Sequence, residues 1–289
     1  MNATIPVFPL TALTEAEARP AVFFVGPDSP PTPQLPLDRP YRSDFYKIGL
    51  CRRGSARLQV NLETYALAPA SLVVLSPHGI KQWGFRSADC ASLSLFFTKA
   101  FVAAGGGLNP DDFAFFERDA RPVLTLPPAA AASLAALLQT IGQKYAAPHV
   151  YREEILRSLL HVLLHETAPL YAAQHRAAPA GRTRGQLIAA GFKQLVHRHY
   201  ATERSLAFYA DQLCITPKHL AETVQAATGK SAGAWLTEAV LLEARVLLQN
   251  PALPIGQIAA ALHFADSSTF GRFFRRHTGL TPARYRQQQ

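Results

Sequence analysis

Apolar positions change period twice along the chain. Between residues 20 and 100 they fall in short runs, at 21–25, 44–51, 56–62, 71–75 and 92–97, broken by Gly26-Pro27, Arg53-Gly54, Pro69 and Pro77. Such runs bounded by turn-forming residues predict short strands that close into a sandwich or small barrel. The period then lengthens. Leu134, Leu137, Leu138, Ile141 and Tyr145 mark one amphipathic helix, and Ile155, Leu156, Leu159, Leu160 and Leu163 a second. Over residues 171–185 the pattern lapses into Ala, Gly, Pro and Arg, the composition of a linker. Everything beyond it has helical spacing, beginning with Leu187, Ile188, Phe192, Leu195 and Val196. The expected class is α+β and multidomain: a β-domain with trailing helices over 1–170, a linker over 171–185, and an all-α domain over 186–289.

The helical part repeats itself. Leu206, Tyr209, Ala210 and Leu213 correspond to Ile255, Ile258, Ala259 and Leu262 at an offset of 49. Thr216, Leu220, Val224, Thr228, Gly229 and Trp235 correspond to Asp266, Phe270, Phe274, Thr278, Gly279 and Tyr285 at an offset of 50. The extra residue falls in a turn, where insertions are tolerated. Each copy, about 205–229 and 254–279, reads as a short apolar helix, a tight turn, an N-cap (Thr216, Asp266) and a second helix stopped by glycine. That is the anatomy of a helix-turn-helix, with Ala210 and Ala259 where two helices cross closely. A long apolar helix over 234–249 joins the copies.

Helical spacing turns Leu220, Thr223, Val224 and Ala227 inward in the first copy, and Phe270, Phe273, Phe274 and His277 in the second. The opposite faces carry Lys218, Ala221, Glu222 and Gln225, and Ser268, Gly271, Arg272 and Arg275. Side chains that donate or accept at base edges, beside small residues that let a helix approach, suit the major groove of double-stranded DNA. The helix starts, with Thr216, Ser267 and Thr269, offer backbone N–H groups to phosphate, and Arg276 and Lys230 are placed to assist. Glu222 either pairs with Lys218 one turn away or accepts from a cytosine amine. The net charge of +9 is uneven: from Gly181 onward 13 Lys and Arg stand against 6 Asp and Glu. The polyanion-facing surface is therefore expected in the C-terminal third, and the two second helices should enter successive major grooves about 34 Å apart.

Ile258-Ala259, Leu262, Phe264, Asp266, Ser268, Phe270, Arg272, Phe274-Arg275-Arg276, Gly279, Thr281-Pro282 and Tyr285-Arg286 resemble the C-terminal signature of the AraC/XylS family of transcription regulators. The resemblance implies a DNA-binding unit over about 184–289 and, ahead of it, a cupin-like β-barrel that senses a small-molecule effector and dimerises. It also implies a homodimer, with RNA polymerase as a further candidate partner. Two positions depart from the family pattern. His263 stands at the turn glycine, which asks histidine to adopt a left-handed backbone. The first second-helix has no arginine, and Glu222 matches Arg272.

Within the β-domain, Tyr46, Ile48 and Leu50 alternate with Phe45, Lys47 and Gly49, so either face can point into a barrel. Tyr46, Ile48, His78 and Trp83 are the candidate effector-pocket residues. Leu156, Leu160 and Leu163 have coiled-coil spacing over about two heptads and form either a dimer seam or a face packed on their own domain. His78 lies in a Ser-Pro-His-Gly turn without the three or four ligands a metal needs, so no metal, cofactor or catalytic residue is expected. Cys51, Cys90 and Cys214 lack Cys-x-x-Cys spacing and read as reduced thiols. The longest apolar runs fall far short of the roughly 20 residues that span a bilayer. With no leader pattern over residues 1–10, a cytoplasmic protein is expected. Two other functions remain: an effector-independent dimeric DNA-binding regulator, and a cupin enzyme fused to a DNA-binding tail.

Overall fold

The structure is a computed structural model and describes residues 7–13, 23–26, 39–104, 108–117, 120–176 and 183–288. The chain divides into two compact units, one of Val7–Ala178 and one containing Pro179–Gln289. The first unit holds strands β1 (Val7–Phe8), β2 (Phe23–Gly26), β3 (Arg42–Ser43), β4 (Tyr46–Arg53), β5 (Ala56–Val60), β6 (Glu63–Leu67), β7 (Ser71–Leu75), β8 (Lys81–Arg86), β9 (Ala91–Phe97) and β10 (Val123–Thr125). It also holds helices α1 (Lys99–Ala103), α2 (Pro128–Ala146) and α3 (Arg152–Arg176).

An antiparallel five-stranded sheet, in the order β10-β7-β4-β9-β2, faces a three-stranded sheet in the order β6-β5-β8, while β1 and β3 form a short parallel pair. Period-2 alternation sorts β4 between two layers. Tyr46, Ile48 and Leu50 join Leu72, Val74, Leu95 and Phe97 beneath α1, α2 and α3. Lys47 faces the other way, toward Trp83 of the three-stranded sheet. Strands β6, β8 and β10 were absent from the strands expected from the sequence. In β6 and β8 polar, half-exposed residues, as in Glu-Thr-Tyr-Ala-Leu, dilute the apolar signal, while β10 is mostly buried but only three residues long. The run at 56–62 ends early, at Val60, because Asn61 turns the chain with φ 54° and its Oδ1 accepts from Ile80 N–H at 2.9 Å. Of the run at 21–25, residues 21 and 22 lie outside the described residues.

Two expectations about α3 are corrected. The helix continues to Arg176, well into the segment expected to be linker, and Tyr171 is buried with its hydroxyl accepting from Arg121 N–H at 3.2 Å. Gln174 Nε2 also donates to Thr125 C=O, so Tyr171 and Gln174 tie this end of the helix to the domain, and the alanines between them favour helix. Of the expected linker, residues 177–182 lie outside the described residues. Leu156, Leu160 and Leu163 are not a dimer seam. They are 3 %, 0 % and 0 % exposed and pack into the core of their own domain against the five-stranded sheet and α2.

The second unit is helical: α4 (Arg184–His199), α5 (Leu206–Gln212), α6 (Pro217–Thr228), α7 (Ala232–Leu248), α8 (Ile255–Ala261), α9 (Ser267–Thr278) and α10 (Pro282–Gln287). A capping box opens α4, with Thr183 and Gln186 each satisfying the other's backbone N–H. Helix α7 is buried along most of its length, and its Leu241, Ala244, Leu247 and Leu248 complete the core of the second copy around Phe270 and Phe274. Among the described residues, no helix is long and apolar enough to cross a membrane.

Candidate nucleic-acid interface

The two copies agree atom by atom through the turn. Ile215 N–H donates to Ala210 C=O at 3.0 Å and Phe264 N–H to Ala259 C=O at 2.9 Å; Cys214 N–H donates to Asp211 C=O and His263 N–H to Ala260 C=O, both at 3.0 Å. His263 has φ 52°, the left-handed turn expected there, and Cys214 has φ 53° at the matching position. The left-handed turn at Cys214 was not expected from the sequence, although the 49-residue offset of the repeat points straight to it. The second helices α6 and α9 start on Thr216, which accepts from His219 N–H at 3.2 Å, and Asp266, which accepts from Thr269 N–H at 2.6 Å. They end at Gly229 (φ 72°) and Gly279 (φ 77°), each closed by a threonine hydroxyl, Thr228 to Val224 C=O at 2.7 Å and Thr278 to Phe274 C=O at 2.8 Å.

Burial repeats as well. Leu220 and Val224, like Phe270 and Phe274, are buried, and Thr223 and Phe273 half-buried. Ala227 and His277, expected to face inward, are exposed, because they lie in the last turn before the glycine cap and no neighbouring helix reaches them. On the outer faces Thr216, Lys218, Glu222 and Gln225, and Ser267, Ser268, Arg272, Arg275 and Arg276, are exposed, while Ala221, Gly271 and Thr269 are half-buried. All twelve candidate residues thus lie on or beside the solvent-facing side of the two second helices.

Their side chains are not equally free. Arg272 donates to Thr269 Oγ1 at 3.2 Å, a local contact that holds the guanidinium near the helix start. Gln225 Nε2 turns back to Gly229 C=O at 3.0 Å. Lys230 is committed elsewhere: it pairs with Glu238, and its ammonium lies 4.2 Å from the Trp235 ring centre. Among the described residues no ion pair joins Lys218 to Glu222, so the Glu222 carboxylate stays open to solvent. Two backbone hydrogen bonds and the Thr269 side chain hold the Asp266 carboxyl below the usual aspartate range, the largest effect coming from Thr269 N–H.

Sequence reasoning missed Arg204. It precedes α5, donates to Leu262 C=O, and lays its guanidinium 3.9 Å from the Phe264 ring centre, so the first copy's leading loop grips the second copy's turn. Arg286 similarly ties α10 to Leu248 C=O at 3.3 Å and Leu253 C=O at 2.6 Å.

In the β-domain two of the four candidate pocket residues, Tyr46 and His78, meet at the Asp111 carboxylate, while Trp83 lies apart from them. Tyr46 and Ile48 are buried on the helix-facing layer, and the Tyr46 hydroxyl donates to Asp111. Burial raises the Tyr46 pKa far above the ordinary tyrosine value. His78 is exposed, 3.6 Å from the same carboxylate, which Lys99 Nζ also binds at 2.7 Å. Trp83 lies in the opposite layer, its Nε1 donating to Tyr41 Oη at 3.2 Å. The face of β4 that carries Tyr46 is closed by helices, so the residues aimed between the sheets are those of the other parity. A cavity of about 370 Å³ opens between α2 and the sheet, lined by Val25, Leu93, Leu95, Leu138 and Ile141 with Gln139 and Gln143, and none of the four lines it. Among the described residues no three His, Cys, Asp or Glu are grouped to hold a metal.

A β-sheet module followed by a helical module with two like helix-turn-helix units defines a two-domain helix-turn-helix protein. Residues 31–197 match the AraC-binding-like domain, and residues 209–288 match a helix-turn-helix domain. The first match covers more than half of the sequence, and the chain belongs to the AraC family of transcription regulators. It is 26 % identical over 152 residues to the uncharacterized HTH-type transcriptional regulator YijO of Escherichia coli, covering 53 % of this chain and 52 % of that one. It is 29 % identical over 154 residues to the transcriptional activator RhaS of Salmonella schwarzengrund, again 53 % and 52 %. The chain thus spans about half the length of the curated relatives it matches. Among solved structures, apo ToxT from Vibrio cholerae aligns over 92 % of this chain and 97 % of its own, at 16 % identity and a TM-score of 0.38. The C-terminal domain of AraT from Geobacillus stearothermophilus aligns over 37 % and 89 %, at 25 % identity and a TM-score of 0.35.

Proposed function

We propose that this protein is a sequence-specific DNA-binding transcription regulator without catalytic activity. In this reading α6 and α9 enter successive major grooves, and the β-domain senses a small-molecule effector. The observation that supports it best is the duplicated pattern of cap, turn, glycine stop and exposed outer face. That pattern presents Lys218, Ala221, Glu222 and Gln225 on one helix and Ser268, Gly271, Arg272 and Arg275 on the other, with Thr216, Ser267, Thr269 and Arg276 beside the backbone. The regulator works as a homodimer at promoters, with RNA polymerase as its further partner. Its dimer contact uses residues other than the core leucines of α3.

Arg272 and Arg276 test the assignment. Arg272 sits mid-face and Arg276 near the helix end, so the first reads a base edge and the second a phosphate. An Arg–guanine contact discriminates by about 1–3 kcal/mol, whereas a phosphate contact adds affinity on every sequence and about one unit of salt slope. Arg272→Ala should weaken binding to a selected operator and relax preference at one base pair. Arg276→Ala should weaken operator and random duplex alike and flatten the salt dependence. Equal losses on all duplexes for Arg272→Ala would make it a phosphate anchor.

A further inference from the structure

Two of the three cysteines, far apart in the chain, meet inside the β-domain. Cys51 lies near the end of β4 and Cys90 just ahead of β9, and these strands are antiparallel neighbours with Cys51 opposite Ser92. Residues two apart on a strand share a face, so Cys90 follows Ser92 onto the side of the sheet that carries Lys47 and Cys51. It packs there with Leu58, Leu67 and Leu75. The register shifts between Cys51 and Arg53, and such a bulge re-aims the side chains beside it. Gly54 touches both cysteines: its carbonyl oxygen lies 4.0 Å from Cys51 Sγ, and a Cβ on it would lie 2.5 Å from Cys90 Cα. The two thiols face each other in a side-chain hydrogen bond. They are 5 % and 7 % exposed, and both are free.

Their surroundings are not those of ordinary core thiols. Lys47 shares the layer at 9 % exposure, its ammonium 4.6 Å from the Trp83 ring centre and 5.2 Å from that of Phe96. Among the described residues it has no carboxylate partner. Ring faces return only part of the cost of desolvating an ammonium, so this charge calls for an anion. The group facing it that can become one is the Cys90 thiol, and Arg86, which donates to Cys90 C=O at 2.9 Å, is a second cation beside the pair. Burial, with Arg86 adding to it, pulls Lys47 down to about 8, while Cys90 works the other way. Burial and the neighbouring Cys90 push the Cys51 thiol up to about 11, so Cys51 keeps its proton at neutral pH.

We propose that Cys51 and Cys90 are a redox couple, which hydrogen peroxide converts from two thiols into one intramolecular disulfide. Cys90 gives its proton to Lys47, and its thiolate attacks one oxygen of the peroxide. The O–O bond breaks, leaving a sulfenic acid on Cys90 and hydroxide, which takes the proton back from Lys47 as water. The Cys51 sulfur then attacks the sulfenic sulfur, the S–O bond breaks, and the departing hydroxide leaves with the Cys51 proton as a second water. Two thiols and one peroxide thus become a disulfide and two waters, the sulfurs losing the two electrons that the peroxide gains. The slight exposure of the pair suits an oxidant of this size and excludes a bulky disulfide. This chemistry belongs to the β-domain alone and depends on neither DNA nor an effector.

Peptide mapping of full-length wild-type protein without reductant provides the test, after peroxide treatment of the reduced protein. The expected result is a loss of two hydrogens in intact mass and a link between the tryptic peptides 48–52 and 87–99, both reversed by dithiothreitol. The bond closes residues 51–90 into a ring, so the oxidised protein should unfold about 5 °C or more above the reduced one. Cys51→Ser should leave Cys90 as a sulfenic acid that dimedone traps, and Cys90→Ser should leave Cys51 unreacted at the same dose. Lys47→Met should slow the linkage about tenfold or more. Cys214, exposed in the helical unit, reports the peroxide dose in every sample and should react alike in all of them.

Cysteines 51 and 90 that stay reduced until denaturant unfolds the protein are core thiols only, and that result would overturn the proposal. So would oxidation of Cys90 to the sulfinic or sulfonic acid with no linked peptide, or linkage confined to Cys214 of two chains. Linkage of Lys47→Met at the wild-type rate would overturn the lysine's part as base. The wild-type mapping needs no variant, so a substitution that fails to fold leaves the test intact.

Discussion

Single residues carry the two features that most distinguish this chain. Cys214 and His263 occupy left-handed turns where a Cβ is unfavourable, at about 1–2 kcal/mol per residue, and both are exposed, so neither is held there by packing. Replacing His263 by glycine should stabilise the helical unit by about 0.5–1 kcal/mol, the relief of strain less the extra flexibility of glycine. Denaturant unfolding reads this directly, and an unchanged or lower stability would show that the turn is not strained. The caps differ in chemistry: Asp266 titrates and Thr216 does not. Because the Asp266 pKa is depressed in the folded protein, its contribution is complete at neutral pH and disappears as pH falls through that lowered value. In acid the first turn of α9 should therefore loosen before that of α6, visible as earlier loss of amide protection at Thr269 than at His219.

Helix α3 illustrates how an element resolves what its sequence leaves open. The spacing of Leu156, Leu160 and Leu163 suits a seam between chains and a core face equally well, since both need only an apolar stripe. What decides is the companion stripe: Leu134, Leu138 and Ile141 of α2 and the helix-facing residues of β4 and β9 already cover it. Leu160→Ala should therefore cost about 2–5 kcal/mol in unfolding free energy and leave the oligomeric state at a given protein concentration unaltered. A variant of native stability with a weakened dimer, measured by sedimentation, would reinstate the seam. The second helices show the complementary case. Their inward and outward faces follow from 3.6-residue spacing except in the final turn, at Ala227 and His277, where no neighbour is left to bury them.

For the whole molecule, the separation of a basic helical unit from a β-domain predicts separable activities. Residues 181–289 contain both second helices and most of the net positive charge, so this fragment should bind DNA with a strong salt dependence. The full chain should bind a two-site operator more tightly, by roughly 100-fold or more, if its β-domains hold two reading units at high local concentration. Electrophoretic mobility shift of both proteins at matched salt compares them. A fragment without affinity at low salt would overturn the assignment of α6 and α9.

The sequence by itself determined the repeat, its caps and glycine stops, the outward faces of α6 and α9, and the division into a β-rich and a helical part. Each of these depends on contacts within a few residues or on a periodicity printed along the chain. Only the tertiary structure decided which parity of β4 looks between the sheets, which makes Lys47 rather than Tyr46 the inward residue. It alone decided that Tyr171 anchors a helix where a linker was expected, that Arg204 grips the other copy's turn, and that the leucines of α3 are used up inside their own domain. These depend on partners dozens of residues away, and a stripe or an alternation states that a face is to be buried without naming what buries it.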